Sequence, residues 1–149
     1  MGEGRPLNGI CLLGYERAGS VVCEAAGDPV VEALSGQYWM AVWWSTPVEM
    51  RGAFARLVRM GQLMPNGHVQ AQVVLDQMRR IWQEVYPSEE LREQAERLVD
   101  RFPLKAADAQ QLAVALAWCV GRPNGRVFIT GDDQLLNAAR QLGFEAIAA

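Results

Sequence analysis

Apolar positions along the chain alternate between short dense runs and helical spacing. Tyr38 to Trp44 is an uninterrupted apolar and aromatic run without charge, which predicts a buried strand. Thr46-Pro47-Val48-Glu49 opens a helix, and Phe54, Leu57, Val58 and Gly61 follow at helical spacing. A second helix is expected from about His68 to Val85, with Val74, Met78, Ile81, Trp82 and Val85 on its apolar face. After Pro87, Ser88 is placed to cap a third helix that turns Leu91, Ala95, Leu98, Val99 and Phe102 inward. A fourth helix begins near Ala106, lines its inner side with Leu112, Ala115, Leu116 and Cys119, and ends at Gly121. Arg126 to Thr130 reads as a strand, and Asp132 or Asp133 caps a last helix carrying Leu135, Leu136 and Ala139. Gly143 ends that helix, and Phe144 to Ile147 is the final strand.

Upstream, residues 1–9 are Gly-rich and polar, as in a frayed end. Asp28-Pro29 has the form of an N-cap followed by Pro at the first helical position, with Gly36 as the stop. Strands that alternate with helices or helix pairs predict an α/β fold, a mostly parallel sheet wrapped by helices. The 149 residues suit one domain.

Composition narrows the function classes. Three cysteines, Cys11, Cys23 and Cys119, are an odd number without a CxxC, which argues against a disulfide framework or a zinc site. No basic segment leads into a long apolar stretch, so neither a signal peptide nor a membrane span is expected, and a cytoplasmic location is the expectation. The net charge of −3 argues against a protein that coats long nucleic acid. It leaves room for a compact nuclease whose carboxylates hold cations that meet phosphate.

Three carboxylates stand at comparable places. Glu49 is in the first turn of a helix after a strand, Asp108 is in the first turn of the fourth helix, and Asp132 directly follows the strand ending at Thr130. Carboxyl ends of parallel strands lie together and form the crevice where ligands bind. Convergent carboxylates there would suit Mg²⁺ or Mn²⁺. Each also has a structural reading: Glu49 completes a capping box with Thr46, Asp108 suits a helix dipole, and Asp132 and Asp133 are good N-caps.

The surrounding words add to this. Trp43-Trp44-Ser45-Thr46-Pro47-Val48-Glu49, the segment Leu104 to Ala113 around Asp108, and Phe128-Ile129-Thr130-Gly131-Asp132-Asp133 with Ala138-Ala139 and Gly143-Phe144 stand in order across residues 27–149. Together they resemble the PIN-domain family, in particular the VapC-like toxin ribonucleases of type II toxin–antitoxin systems. The resemblance implies a three-layer α/β/α PIN-like fold and Mg²⁺- or Mn²⁺-dependent hydrolysis of RNA. Glu49, Asp108 and Asp132 are then the catalytic metal ligands, and Thr130 supplies a hydroxyl that orders the site. It further implies a homodimer and a cognate antitoxin protein as partner. The rival reading is a non-catalytic PIN-like module that binds RNA or protein.

The family's opening motif, a strand ending in Asp followed by small hydroxyl residues, is missing: Ile10 to Arg17 places Gly14 near that position. Codons compatible with Leu12 to Cys23, read with one base dropped, encode Tyr-Leu-Asp-Thr-Ser-Ala-Leu-Val-Ala-Leu-Phe, which resembles the missing motif. The segment before about Gly27 is therefore read as shifted in frame, and the encoding DNA tests this.

Other residues carry weaker signals. His68 is the single histidine and reads as a surface residue, and neither a GxxxxGK[ST] loop nor a GxGxxG occurs. Trp39, Trp43 and Trp44 could stack on bases, though an apolar strand more often buries them. Arg51, Arg56 and Arg59, with Arg79 and Arg80, could meet phosphate or form a solvated face. Met60, Leu63 and Met64 could join a dimer or antitoxin groove, or pack in the core.

Overall fold

The computed structural model describes residues 41–80 and 82–148. The expected frayed end, opening strand and frame-shifted segment lie outside the described residues. So do the helix after Asp28 and the first part of the aromatic run, from Tyr38 through Trp39 to Met40.

Among the described residues, two parallel strand pairs and five helices follow in order. Strand β1 (Ala41–Trp43) leads into α1 (Thr46–Arg59) and α2 (Pro65–Met78), after which β2 (Gln83–Val85) pairs with β1. Helices α3 (Glu89–Arg101) and α4 (Ala106–Trp118) pack along one another. Strand β3 (Val127–Thr130), helix α5 (Asp133–Leu142) and strand β4 (Glu145–Ala148) close the chain, with β3 and β4 parallel.

The strands are short, and their side-chain alternation fixes the layers. Val42, Val127 and Ile129 enter a core with Met50 and Phe54 of α1 and Leu75 and Met78 of α2. Ala41, Trp43 and Phe128 enter a second core with Leu91 and Leu98 of α3, Leu112 and Ala113 of α4 and Leu135 of α5. In β4, Ala146 packs against the second core and Ile147 against the first. The strands thus form a middle layer with α1 and α2 on one face and α3, α4 and α5 on the other. The expected three-layer α/β/α arrangement with parallel strands is the arrangement found.

One expected element divides in two. The helix predicted from His68 to Val85 starts at Pro65 and ends at Met78, and Gln83–Val85 is a strand beside β1. Met78, Trp82 and Val85 keep helical spacing, so periodicity cannot signal the change. Pairing decides it: Gln83, Glu84 and Val85 stand opposite Ala41, Val42 and Trp43, and the Trp44 N–H donates to the Val85 carbonyl at 3.0 Å. Val99, expected inside, is 43% exposed.

The expected stops and caps mostly hold. Ser88 Oγ accepts from the Leu91 N–H at 3.2 Å and starts α3. Gly143 ends α5 at φ 104°, where an added Cβ would stand 2.7 Å from Asn124 Oδ1, so only glycine fits without displacement. At α1 the cap differs: Ser45 is the N-cap and Thr46 the first helical residue. The Thr46–Glu49 capping box therefore does not form.

Candidate functional site

Release from a capping box lets the Glu49 side chain make other bonds. Ser45 Oγ donates to Glu49 Oε1. Gln111 Nε2 donates to Glu49 Oε2 at 3.4 Å across a separation of 62 residues. Glu49 follows the end of β1 by one helical turn, and Gln111 lies in the first half of α4. The bond therefore ties the exit of the strand layer to α4.

Asp108 is on the same helix, three residues before Gln111, a spacing that puts both on one face. Glu49 and Asp108 are both half-buried. Their elements meet because Ala109, Leu112 and Ala113, buried beside them in α4, pack with Ala41 and Trp43 of β1.

Asp132 stands where expected, immediately beyond β3. Its Oδ1 accepts from the Leu135 N–H at 2.8 Å, so it is the N-cap of α5, and Asp133 is the exposed first helical residue. Thr130 is buried, and its Oγ1 accepts from the Asp132 N–H at 3.1 Å. That bond fixes the turn between strand and cap. One carboxylate oxygen of Asp132 is thus committed to the helix, and the other is left for solvent or ligand.

The donors present are all hard oxygen atoms, the type that Mg²⁺ or Mn²⁺ takes. Among the described residues no three His, Cys, Asp or Glu side chains gather into a group that could hold a metal. Mg²⁺ asks for less, because it keeps several waters and is held by one or two carboxylates. The donor set around Glu49 fits such an ion, and Gln111 Oε1 beside it is a buried acceptor with no hydrogen-bond partner.

Gln111 escapes detection in the sequence, since a glutamine between alanines and leucines in a helix reads as part of a solvated face. It is 2% exposed. The tryptophans split: Trp43 is buried in the second core, whereas Trp44, next to Ser45, is 51% exposed. Arg51 pairs with Asp76 at 3.5 Å on the surface. Met60 and Met64 are exposed, and Leu63 is partly buried against the α1–α2 core. His68 is half-buried with its ring 3.2 Å from Gln72 Nε2. Burial pushes the Cys119 thiol above its ordinary pKa, which makes it a poor nucleophile at neutral pH.

A cavity of about 550 Å³ lies between α3 and the start of α4. Trp43, Arg92, Asp100, Ala106 and Gln110 line it, and none of the three candidate carboxylates does. It is therefore a neighbour of the Glu49 site rather than the site itself.

In sequence the chain matches no family model and no curated protein. In structure it is similar to PAE2754 from Pyrobaculum aerophilum, with a TM-score of 0.62 and 19% identity over 94% of this chain and 91% of the other. It is similar to a chain of VapBC2 from Rickettsia felis, solved bound to a DNA fragment from their promoter, with a TM-score of 0.63 and 14% identity over 93% and 98%. A chain of VapBC-1 from nontypeable Haemophilus influenzae gives a TM-score of 0.56 and 13% identity over 92% and 97%. At these identities the likeness establishes the shared fold.

Proposed function

We propose that this protein is a Mg²⁺- or Mn²⁺-dependent endoribonuclease and the toxin of a toxin–antitoxin pair. One observation carries the reading: Glu49, in the first turn of α1, is held by Ser45 and by Gln111, and Gln111 lies one helical turn from Asp108 on α4. The likeness to chains of VapBC assemblies supports the toxin role. A cognate antitoxin and a homodimeric state belong to the same proposal.

The residues divide the work. Glu49 and Asp108 would hold the cation, which keeps waters in its other positions, and Asp132 joins the set by the resemblance of its segment. When bound, the cation supplies Lewis acidity at the phosphodiester and lowers the pKa of the attacking water. Ser45 and Gln111 fix the rotamer of Glu49, so the carboxylate is aimed before substrate arrives. Thr130 does the same for the backbone that presents Asp132. Trp44, exposed one residue before Ser45, offers a ring face on which an RNA base can stack beside the cleaved linkage.

Cleavage of a mixed RNA pool by the purified chain with Mn²⁺ tests the proposal, beside a version carrying the restored Tyr-Leu-Asp-Thr-Ser segment. Metal-dependent cleavage by either, lost in Asp108→Asn, is the expected result. The Asn variant removes the charge at nearly unchanged side-chain volume, and a thermal melt beside the wild type separates loss of chemistry from loss of fold. RNA binding without cleavage by both versions would instead mean a non-catalytic module, a reading favoured by the lack of a three-carboxylate group among the described residues.

A further inference from the structure

Gln111 is a long polar side chain on a helix whose neighbours Leu112, Ala113 and Val114 are fully buried, and it is itself 2% exposed. Its Nε2 reaches Glu49 Oε2, while its Oε1 is shut off from solvent and has no partner. An unpaired buried acceptor is a standing cost to the fold. Turning the amide over would not remove the cost, because it would set an amide oxygen against a carboxylate oxygen, two acceptors facing each other. Glu49 therefore fixes the amide, and the vacant position always falls to the oxygen.

A vacant amide oxygen beside an anionic carboxylate is matched by a donor that carries positive charge. Divalent cations with retained waters are such donors, since their water hydrogens are strongly polarised. We infer that Gln111 is a positioning residue of a divalent-cation site at Glu49: its Nε2 orients the carboxylate, and its Oε1 accepts from the cation's hydration shell. The inference rests on the reading of Glu49 as a cation ligand and adds to it an uncharged residue from the segment around Asp108.

The test is Mn²⁺ titration by calorimetry with thermal melts in and out of Mn²⁺, on the wild type, Gln111→Leu and Gln111→Glu. Leu has similar volume and no acceptor. The metal-free Leu variant should melt no lower than wild type, because an unsatisfied buried group is gone, yet bind Mn²⁺ about 10-fold or more weakly, as loss of an outer hydrogen-bond partner does. The Glu variant sets a second carboxylate against Glu49. It should melt lower without metal and regain more on adding Mn²⁺ than the wild type does.

Wild-type Mn²⁺ affinity in Gln111→Leu, with a lowered melting point, would overturn the inference and leave Gln111 a structural link only. An equal Mn²⁺ response in wild type and Gln111→Glu would overturn it too, even if the Leu variant failed to fold. No Mn²⁺ binding by the wild type would remove the Glu49 reading itself, an outcome distinct from either.

Discussion

Asp132 serves two purposes at one position, and they separate by substitution. As N-cap it accepts from the Leu135 N–H; as candidate ligand it offers charge. Asp132→Ala removes both and should cost about 1 kcal/mol of stability, the usual loss for a cap. Asp132→Asn retains a capping oxygen, so its denaturation midpoint should stay near wild type while Mn²⁺ affinity falls. Equal Mn²⁺ affinity in the Asn variant would reduce Asp132 to a cap. At this scale the sequence showed the acidic residues and their helix starts, because caps and first turns are local. It did not show Gln111, whose burial depends on the approach of β1 to α4, nor which oxygen of Glu49 would be held by it. Nor did it separate Trp43 from Trp44, which differ only in the face each takes beside β2.

Elements bounded by their own sequence were legible, and elements bounded by partners were not. Helices α3 and α5 announce themselves through Ser88, Asp132 and Gly143, each of which acts on backbone groups a few residues away. Helix α2 has no such stop: Arg79 is its C-cap in an ordinary right-handed conformation, and no glycine follows before β2. Strand β2 exists because β1 lies beside it, information the local window lacks. Gly143 shows how tightly a legible boundary can be set. Gly143→Ala combines a left-handed φ with a contact to the Asn124 side chain. It should destabilise by about 1–3 kcal/mol, read from equilibrium urea unfolding. Gly125→Ala is the control, since it shares a positive φ, at 72°, but meets no atom within 4 Å. It should cost less, and equal losses would mean that the Asn124 contact contributes nothing.

Across the whole molecule, the strand layer is shared by two cores, and that sharing has a thermodynamic consequence. β1 gives Val42 to the α1–α2 core and Ala41 and Trp43 to the other; β3 divides Val127 and Ile129 from Phe128 in the same way. Neither core can dissolve without stripping one face of the strands that support its counterpart. Phe54, fully buried under α1, and Phe128, fully buried toward α4 and α5 and 5.6 Å from the Phe144 ring, probe the two sides. Replacing either by Ala should cost about 3–5 kcal/mol, the range for deleting a buried phenylalanine. If the layer couples the cores, each substitution lowers one common transition, with tryptophan fluorescence and far-ultraviolet circular dichroism superimposing. If Phe54→Ala instead produced an early fluorescence transition while most of the helical signal persisted, the α1–α2 side would be an independent unit. Glu49 would then sit on a part of the molecule free to open away from Gln111 and Asp108. Coincident transitions are the expected result, because the Glu49–Gln111 bond joins α1 to α4 and a preorganised site needs its two halves to fold together.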